Sequence, residues 1–289
     1  MAAARSDVRR TPGAGAVAAG PVTIPLQGRC RVGHRRAVNW KKRCRGTLAW
    51  AVPGGLAACL LTGVLTGGCL AGRNGVPALE EAVSVKPGIN REFLNPDLQV
   101  ANWVQRFEVE SREVFAHRHG LTHALGLRPG DCVADIGAGT GLFVPLFAEA
   151  VGPQGHVYAV EIAPAFVEGI LNRAREAGLA NVTAVLGSDR DVGLEPGSID
   201  KAFICDTYHH FEYPSETMVS LHRALRRGGE VLVIDFHRIP GVSSEWTLNH
   251  VRAGQEVFTA EIEAAGFRKV EELPLLEDNY VLRFRKVGR

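Results

Sequence analysis

The chain has 289 residues, 33 Lys and Arg against 31 Asp and Glu, a formal net charge of +2 and 46% hydrophobic residues. That size and composition suit one sizeable globular domain plus an appendage, and the small net charge argues against a dedicated nucleic-acid binder. Six cysteines do not read as a disulfide framework: Cys30, Cys44, Cys59 and Cys69 lie near the start of the chain. Cys132 and Cys205 fall in two predicted strands, out of step by roughly 10 Å if those strands are parallel neighbours. Both read as buried apolar thiols.

Charge is spread unevenly. No acid occurs between Asp7 and Glu80, while Arg9, Arg10, Arg29, Arg31, Arg35, Arg36, Lys41, Lys42, Arg43 and Arg45 accumulate; from Gly46 to Gly72 nothing is charged. A basic stretch, an apolar run around Leu56–Leu65 and small residues before a cysteine follow the order of an export signal. Thr66-Gly67-Gly68-Cys69 resembles a bacterial lipoprotein lipobox, departing from it at Thr66. Residues 1–69 are therefore expected to be a basic leader with an export or lipoprotein-like signal, giving an exported bacterial protein that is periplasmic or tethered to a membrane through Cys69. The alternatives are an uncleaved anchor, a weak twin-arginine signal at Arg35-Arg36, and a start assigned too early, with Val38 the true initiator and a cytoplasmic product. Residues 70–95, with Gly72, Asn74, Gly75, Pro77, Pro87 and Gly88, read as a linker, and 96–289 as the main domain.

That domain opens on Asn95-Pro96-Asp97, a predicted helix start. Val100, Trp103, Val104 and Phe107 follow at helical spacing and Val114 and Phe115 continue the stripe, so an N-terminal helix is expected to cover the domain. Its charged face, with Arg106, Glu108, Glu110, Arg112 and Glu113, reads either as solvated or as part of a lid contributing Phe107 or Glu108 to a site. After Arg128-Pro129-Gly130 strands and helices alternate: strands near 131–136, 156–161, 182–187, 199–206 and 230–236, helices near 141–151, 164–177 and 213–227, with Gly178 and Gly228-Gly229 as helix stops. A helix near 255–265 and strands near 267–273 and 279–286 end the chain, the last two as an antiparallel edge pair. The alternation predicts an α/β fold, a doubly wound Rossmann-like parallel sheet with helices on both faces.

The first strand leads into Asp135-Ile136-Gly137-Ala138-Gly139-Thr140-Gly141, a bare loop where a nucleotide-like ligand can approach the main chain. A dinucleotide fingerprint needs glycine at the first, third and sixth positions; the sixth from Gly137 is Leu142, which argues against a nicotinamide-dependent oxidoreductase. Asp135 would sit badly beside a pyrophosphate and suits a cationic ammonium, such as the methionine end of S-adenosylmethionine. Glu161, closing the second strand ahead of Ile162, is placed to accept from ribose hydroxyls, and Asp189 after the third strand to reach an adenine edge.

The Val133–Gly141 run, Glu161, the Asp200–Asp206 strand and Leu225-Arg226-Arg227-Gly228-Gly229-Glu230 resemble class I S-adenosylmethionine-dependent methyltransferases over about residues 95–287. Cys205-Asp206-Thr207-Tyr208-His209-His210-Phe211 and Glu263-Ala264-Ala265-Gly266-Phe267 resemble the branch around ubiquinone/menaquinone C-methyltransferases. The resemblance implies a seven-stranded sheet in the order 3-2-1-4-5-7-6 with strand 7 antiparallel, S-adenosylmethionine as methyl donor and a small-molecule acceptor. Cofactor-binding residues are then Asp135, Gly137, Ala138, Gly139, Thr140, Gly141, Glu161, Ile162, Asp189 and Asp206, and catalytic candidates facing the acceptor are Tyr208, His209 and His210. A histidine titrating near neutrality suits proton removal from the acceptor. His237, His250 and Arg252 would overhang the same crevice. No metal is expected, since adjacent His209 and His210 should point apart. The rival reading is a non-catalytic protein of the same fold that binds S-adenosylmethionine or S-adenosylhomocysteine.

Overall fold

In the computed structural model, which describes residues 82–288, the sheet is built from runs that are apolar on both faces. Strand β1 (Cys132–Ile136) is buried at every position, as expected for a parallel strand covered by helices on both sides. It pairs in parallel with β2 (His156–Glu161) and β4 (Ile199–Cys205). Beyond β2 lies β3 (Val182–Leu186); beyond β4 come β5 (Leu225–Phe236), then β7 (Asn279–Lys286) and β6 (Phe267–Glu272). The order is β3-β2-β1-β4-β5-β7-β6, with β7 antiparallel to both neighbours, as the resemblance implied.

Alternate residues of each strand feed two cores. Val133, Val157, Phe203 and Leu232 pack against Leu121 and Leu125 of α3 (Arg118–Leu125) and Phe147 of α4 (Val144–Val151). Ala134, Ala202, Val231 and Val233 pack on the other face against Met218 and Leu221 of α6 (Pro214–Ala224) and Ile262 of α8 (Gln255–Ala264). Helix α5 (Pro164–Glu176) lies against β2 and β3. Because the connections from β1 and β4 leave on opposite faces, the order reverses between these strands and a crevice opens at their carboxyl ends.

Four local expectations change. The Asn95-Pro96-Asp97 segment is a turn, with the Asn95 side chain accepting the Asp97 N–H at 2.9 Å. The covering helix is broken into α1 (Val100–Phe107) and α2 (Glu113–Ala116), because Glu108 leaves helical geometry and turns its carboxylate inward to Arg173, at 2.5 Å. Gly228-Gly229 is not a helix stop but a bulge in β5: Gly228 has φ +77°, and a Cβ on Gly229 would lie 2.9 Å from the Asp200 carbonyl. Of the stretch read as linker, residues 82–95 are laid across the crevice: Val85 N–H donates to the Glu212 carbonyl at 2.9 Å, and buried Asn90 donates to the His210 carbonyl at 3.0 Å. The cysteine reading holds for Cys205, whose thiol is free, while Cys132 is disulfide-bonded. The leader, with Lys41–Arg45 and Cys69, lies outside the described residues. Among the described residues no helix is long and apolar enough to cross a membrane.

The loop glycines differ in what surrounds them. A Cβ on Gly137 (φ +72°) would lie 2.2 Å from Thr207 Cγ2, whereas one on Gly139 (φ +54°) would meet nothing closer than Phe107 at 3.8 Å. Gly137→Ala is expected to cost at least about 3 kcal/mol, combining left-handed strain with overpacking against a β-branched neighbour. Gly139→Ala should cost only about 1–2 kcal/mol, the strain alone. Denaturant unfolding of both variants checks the order; equal losses would contradict the packing described.

Candidate functional site

A cavity of about 470 Å³ occupies the crevice, within the roughly 300–1,000 Å³ usual for small-molecule sites. The Gly137–Gly141 loop forms one wall. Its N–H groups are largely spent on the protein: Gly137 and Ala138 donate to the Val160 carbonyl at 2.8 and 3.1 Å, and Gly139 to Glu161 Oε2 at 2.9 Å. Gly137, Ala138, Gly139, Thr140 and Ile162 line the cavity. Gly141 does not: it faces Ile170 of α5, which a Cβ there would approach to 3.0 Å, so its role is packing and not ligand contact. The Thr140 hydroxyl donates to Glu108 at 2.7 Å, and Arg173 bridges Glu108 to the Thr140 carbonyl at 2.7 Å. Glu108 thus serves the site by bracing this wall.

The predicted acids all reach the cavity, in different states. Asp135 is buried, and its Oδ2 has no hydrogen-bond partner. Burial, reinforced by the nearby Glu161 carboxylate, pushes its pKa up to about 8. Glu161 is also buried and raised by desolvation, an effect opposed by the N–H groups of Ala163, Gly139 and Ile162. Asp189 is exposed at the cavity mouth. Asp206, with φ +50°, is already occupied: its carboxylate pairs with Arg112 and accepts from Asn279 at 2.6 Å, and desolvation raises it to about 6. Asp206, expected to help hold the donor, lines the cavity with its carboxylate already paired to a protein cation.

The turn after β4 separates its aromatic residues. Tyr208 does not line the cavity, contrary to its expected place facing the acceptor. Its ring is fully buried in the core beneath α8, its hydroxyl donates to Glu261 at 3.1 Å, and burial drives its pKa far above the usual phenol value. Within the single 3₁₀ turn Tyr208–His210 both histidines line the cavity while Tyr208 turns into the core. His209 is buried, with Nδ1 2.8 Å from Asp235 Oδ1 and its N–H donating to Asp235 Oδ2 at 3.0 Å. With Asp235 engaging Nδ1, Nε2 is the ring nitrogen left toward the cavity.

Asp235 escaped the sequence reading, although an acid inside the apolar run Val231–Phe236 is a signal of its kind. Arg112, Asn90 and Phe93 were also missed as cavity residues. His250, at the end of α7 (Glu245–His250), reaches the cavity as expected, while His237 and Arg252 do not line it; Arg252 pairs with Glu261 at 2.5 Å. The cavity lining is otherwise strongly aromatic, with Phe93, Trp103, Phe107, Phe211, Phe236 and Trp246.

Residues 127–279 match the family model described as a methyltransferase domain. The chain belongs to this methyltransferase domain family. It is similar to a protein-L-isoaspartate O-methyltransferase of Ignicoccus hospitalis, 33% identical over 122 residues that span 42% of this chain and 54% of that one. It is also similar to the ubiquinone/menaquinone biosynthesis C-methyltransferase UbiE of Bordetella parapertussis, 28% identical over 113 residues, 39% of this chain and 43% of the other. The chain thus spans about half, or less, of the length of these curated relatives. In three dimensions it resembles a SAM-dependent methyltransferase from Aquifex aeolicus, with a TM-score of 0.59 and 21% identity, covering 66% of this chain and all of that one. That likeness establishes the fold.

The raised Asp135 has a consequence for this methyltransferase-family domain without ligand. Below about pH 4 the carboxyl is neutral folded and unfolded. Between about pH 4 and 8 only the unfolded chain ionises, so stability falls as pH rises; above about 8 both forms are ionised and the loss stays constant. Asp135→Asn should remove this slope, making the variant more stable than the parent at pH 8 and converging with it near pH 4. Urea unfolding across that range checks it, and parallel profiles would contradict the assigned shift.

Proposed function

We propose that the protein transfers the methyl group of S-adenosylmethionine to a small, largely apolar acceptor. One observation carries the reading: a buried carboxylate oxygen of Asp135 without a partner, facing the cavity beside Glu161 and a wall left bare at Gly139. An unsatisfied buried acid is costly, and a cationic ligand converts that cost into binding energy. The donor set fits the cofactor: Asp135 toward the cationic amino-acid end, Glu161 toward the ribose, and Asp189 at the mouth toward the base. Membership in a methyltransferase domain family supports the same chemistry.

Bound S-adenosylmethionine supplies an electrophilic methyl on sulfur that passes in line to a nucleophile, leaving S-adenosylhomocysteine. The protein's own task is mainly alignment and exclusion of water. Phe93 and Trp103, with ring centroids 4.8 Å apart, and Trp103 and Phe107, at 5.1 Å, form an apolar wall of the cavity. Where the nucleophile carries a proton, His209 Nε2 takes it, and Asp235 stabilises the resulting imidazolium. Asp235 also holds the ring in place through the His209 N–H.

Two outcomes test the reading. Asp135→Ala and Glu161→Ala should each weaken S-adenosylmethionine binding, measured by calorimetry, by at least ~1 kcal/mol; unchanged affinity in both would remove the donor site. His209→Ala, and His209→Asn as a replacement that keeps a donor toward Asp235, should lower turnover to S-adenosylhomocysteine while leaving donor affinity nearly intact. An unchanged rate in both variants would reduce His209 to a structural role.

A further inference from the structure

Three imidazoles converge at the acceptor end of the cavity. Against the expectation from sequence, His209 and His210 do not point apart: their ring centroids are 4.3 Å from each other, and those of His210 and His250 are 5.0 Å apart. The Nε2 atoms of His210 and His250 are separated by 3.2 Å, and one ligand nitrogen from each of the three histidines lies within 4.8 Å of the others. Metal–nitrogen bonds of about 2.0–2.1 Å in tetrahedral geometry set nitrogens ~3.3 Å apart, close to the observed His210–His250 spacing.

Two further features point to a ligand. His210 Nε2 has only the His250 imidazole nitrogen as its partner, at 3.2 Å, so two nitrogens that can each present a lone pair face one another across the space an ion would fill. Asp235, fully buried, accepts from His209 Nδ1–H, which orients Nε2 outward as a lone pair. A carboxylate behind a histidine in this way is the usual support of a metal-ligating imidazole.

We propose that His209, His210 and His250 bind a divalent transition-metal ion, with its remaining coordination positions open to the acceptor cavity. Imidazole ligands without a direct carboxylate favour zinc, cobalt, nickel, copper or iron over magnesium and calcium. Asp235, through His209, supplies compensating negative charge, and Asp206 and Glu212 line the same cavity. The open positions suit an acceptor bearing an oxygen or nitrogen donor. Occupancy engages the His209 lone pair as a ligand, so metal binding and the free-base role of His209 are alternative states of one site. The proposal does not depend on methyl transfer.

Cobalt(II) and zinc(II) titrations of the chelator-treated full chain test it. About one ion per chain should bind, and the cobalt form should show visible ligand-field absorption without the near-ultraviolet thiolate band that cysteine ligation produces. His210→Ala and His250→Ala should each weaken binding at least about tenfold, and Asp235→Asn about 10–100-fold. His119→Ala, an exposed histidine far from the cluster in sequence, should leave binding unchanged. His250 is half-buried at the end of α7, so its replacement leaves the sheet core intact. Absence of binding, a thiolate spectrum, or affinity indifferent to both His210→Ala and His250→Ala overturns the proposal. S-adenosylmethionine affinity measured on the same samples reports separately on the methyl-transfer reading.

Discussion

The parallel pairing of β1 with β4 is the constraint on which the rest of the structure depends. Asp135 lies opposite Phe203 and Ile136 opposite Ile204, so the two strands end level and their following loops start side by side. The helices that succeed them go to opposite faces, and no backbone fills the space between. Gly137 can meet Thr207 only because it lacks a Cβ, and the Thr207 hydroxyl then bonds the Cys205 carbonyl at 2.8 Å. This contact closes the floor of the crevice and leaves its upper walls to Gly139 on one side and the histidine turn on the other.

Polar groups concentrate in that crevice at a cost to the fold. Asp135, Glu161 and Asp206 are all displaced toward neutrality by desolvation, yet each is handled differently. Glu161 is met by three backbone N–H groups, Asp206 by Arg112 and Asn279, and Asp135 Oδ2 by nothing in the protein. A chain selected for stability alone would treat the three alike. The difference sets Asp135 apart as the carboxyl the protein leaves unpartnered, and perturbed carboxyls tend to mark functional sites.

Much of this was legible in the sequence, for physical reasons that also show where legibility ends. Strands buried on both faces must be continuous apolar runs, so β1, β2, β4 and the acids that terminate them stand out without any knowledge of contacts. What escaped depends on partners distant in the chain. Asp235 acquires meaning only from His209, 26 residues away, and Glu108 breaks its helix to reach Arg173, 65 residues away. Tyr208 was misplaced because residue type suggested chemistry while a single turn of 3₁₀ geometry decided direction. Residues 82–95 carry the glycine and proline of a linker, yet those residues shape turns that fit over the cavity.

The covering segment joins the two ends of the site. Asn90 bonds the carbonyl of His210, Phe93 lies edge-on to the His210 ring at 5.2 Å, and the same Phe93 contacts Trp103. From the other side Trp246 stacks on His250 at 4.6 Å and Phe236 packs on His209. Each imidazole is therefore held by an aromatic neighbour, and those neighbours belong to segments at the cavity rim. The aromatic rings that line this end of the cavity are thus also those packed against the three imidazoles, so the shape of the cavity and the placement of the histidines are set by the same contacts.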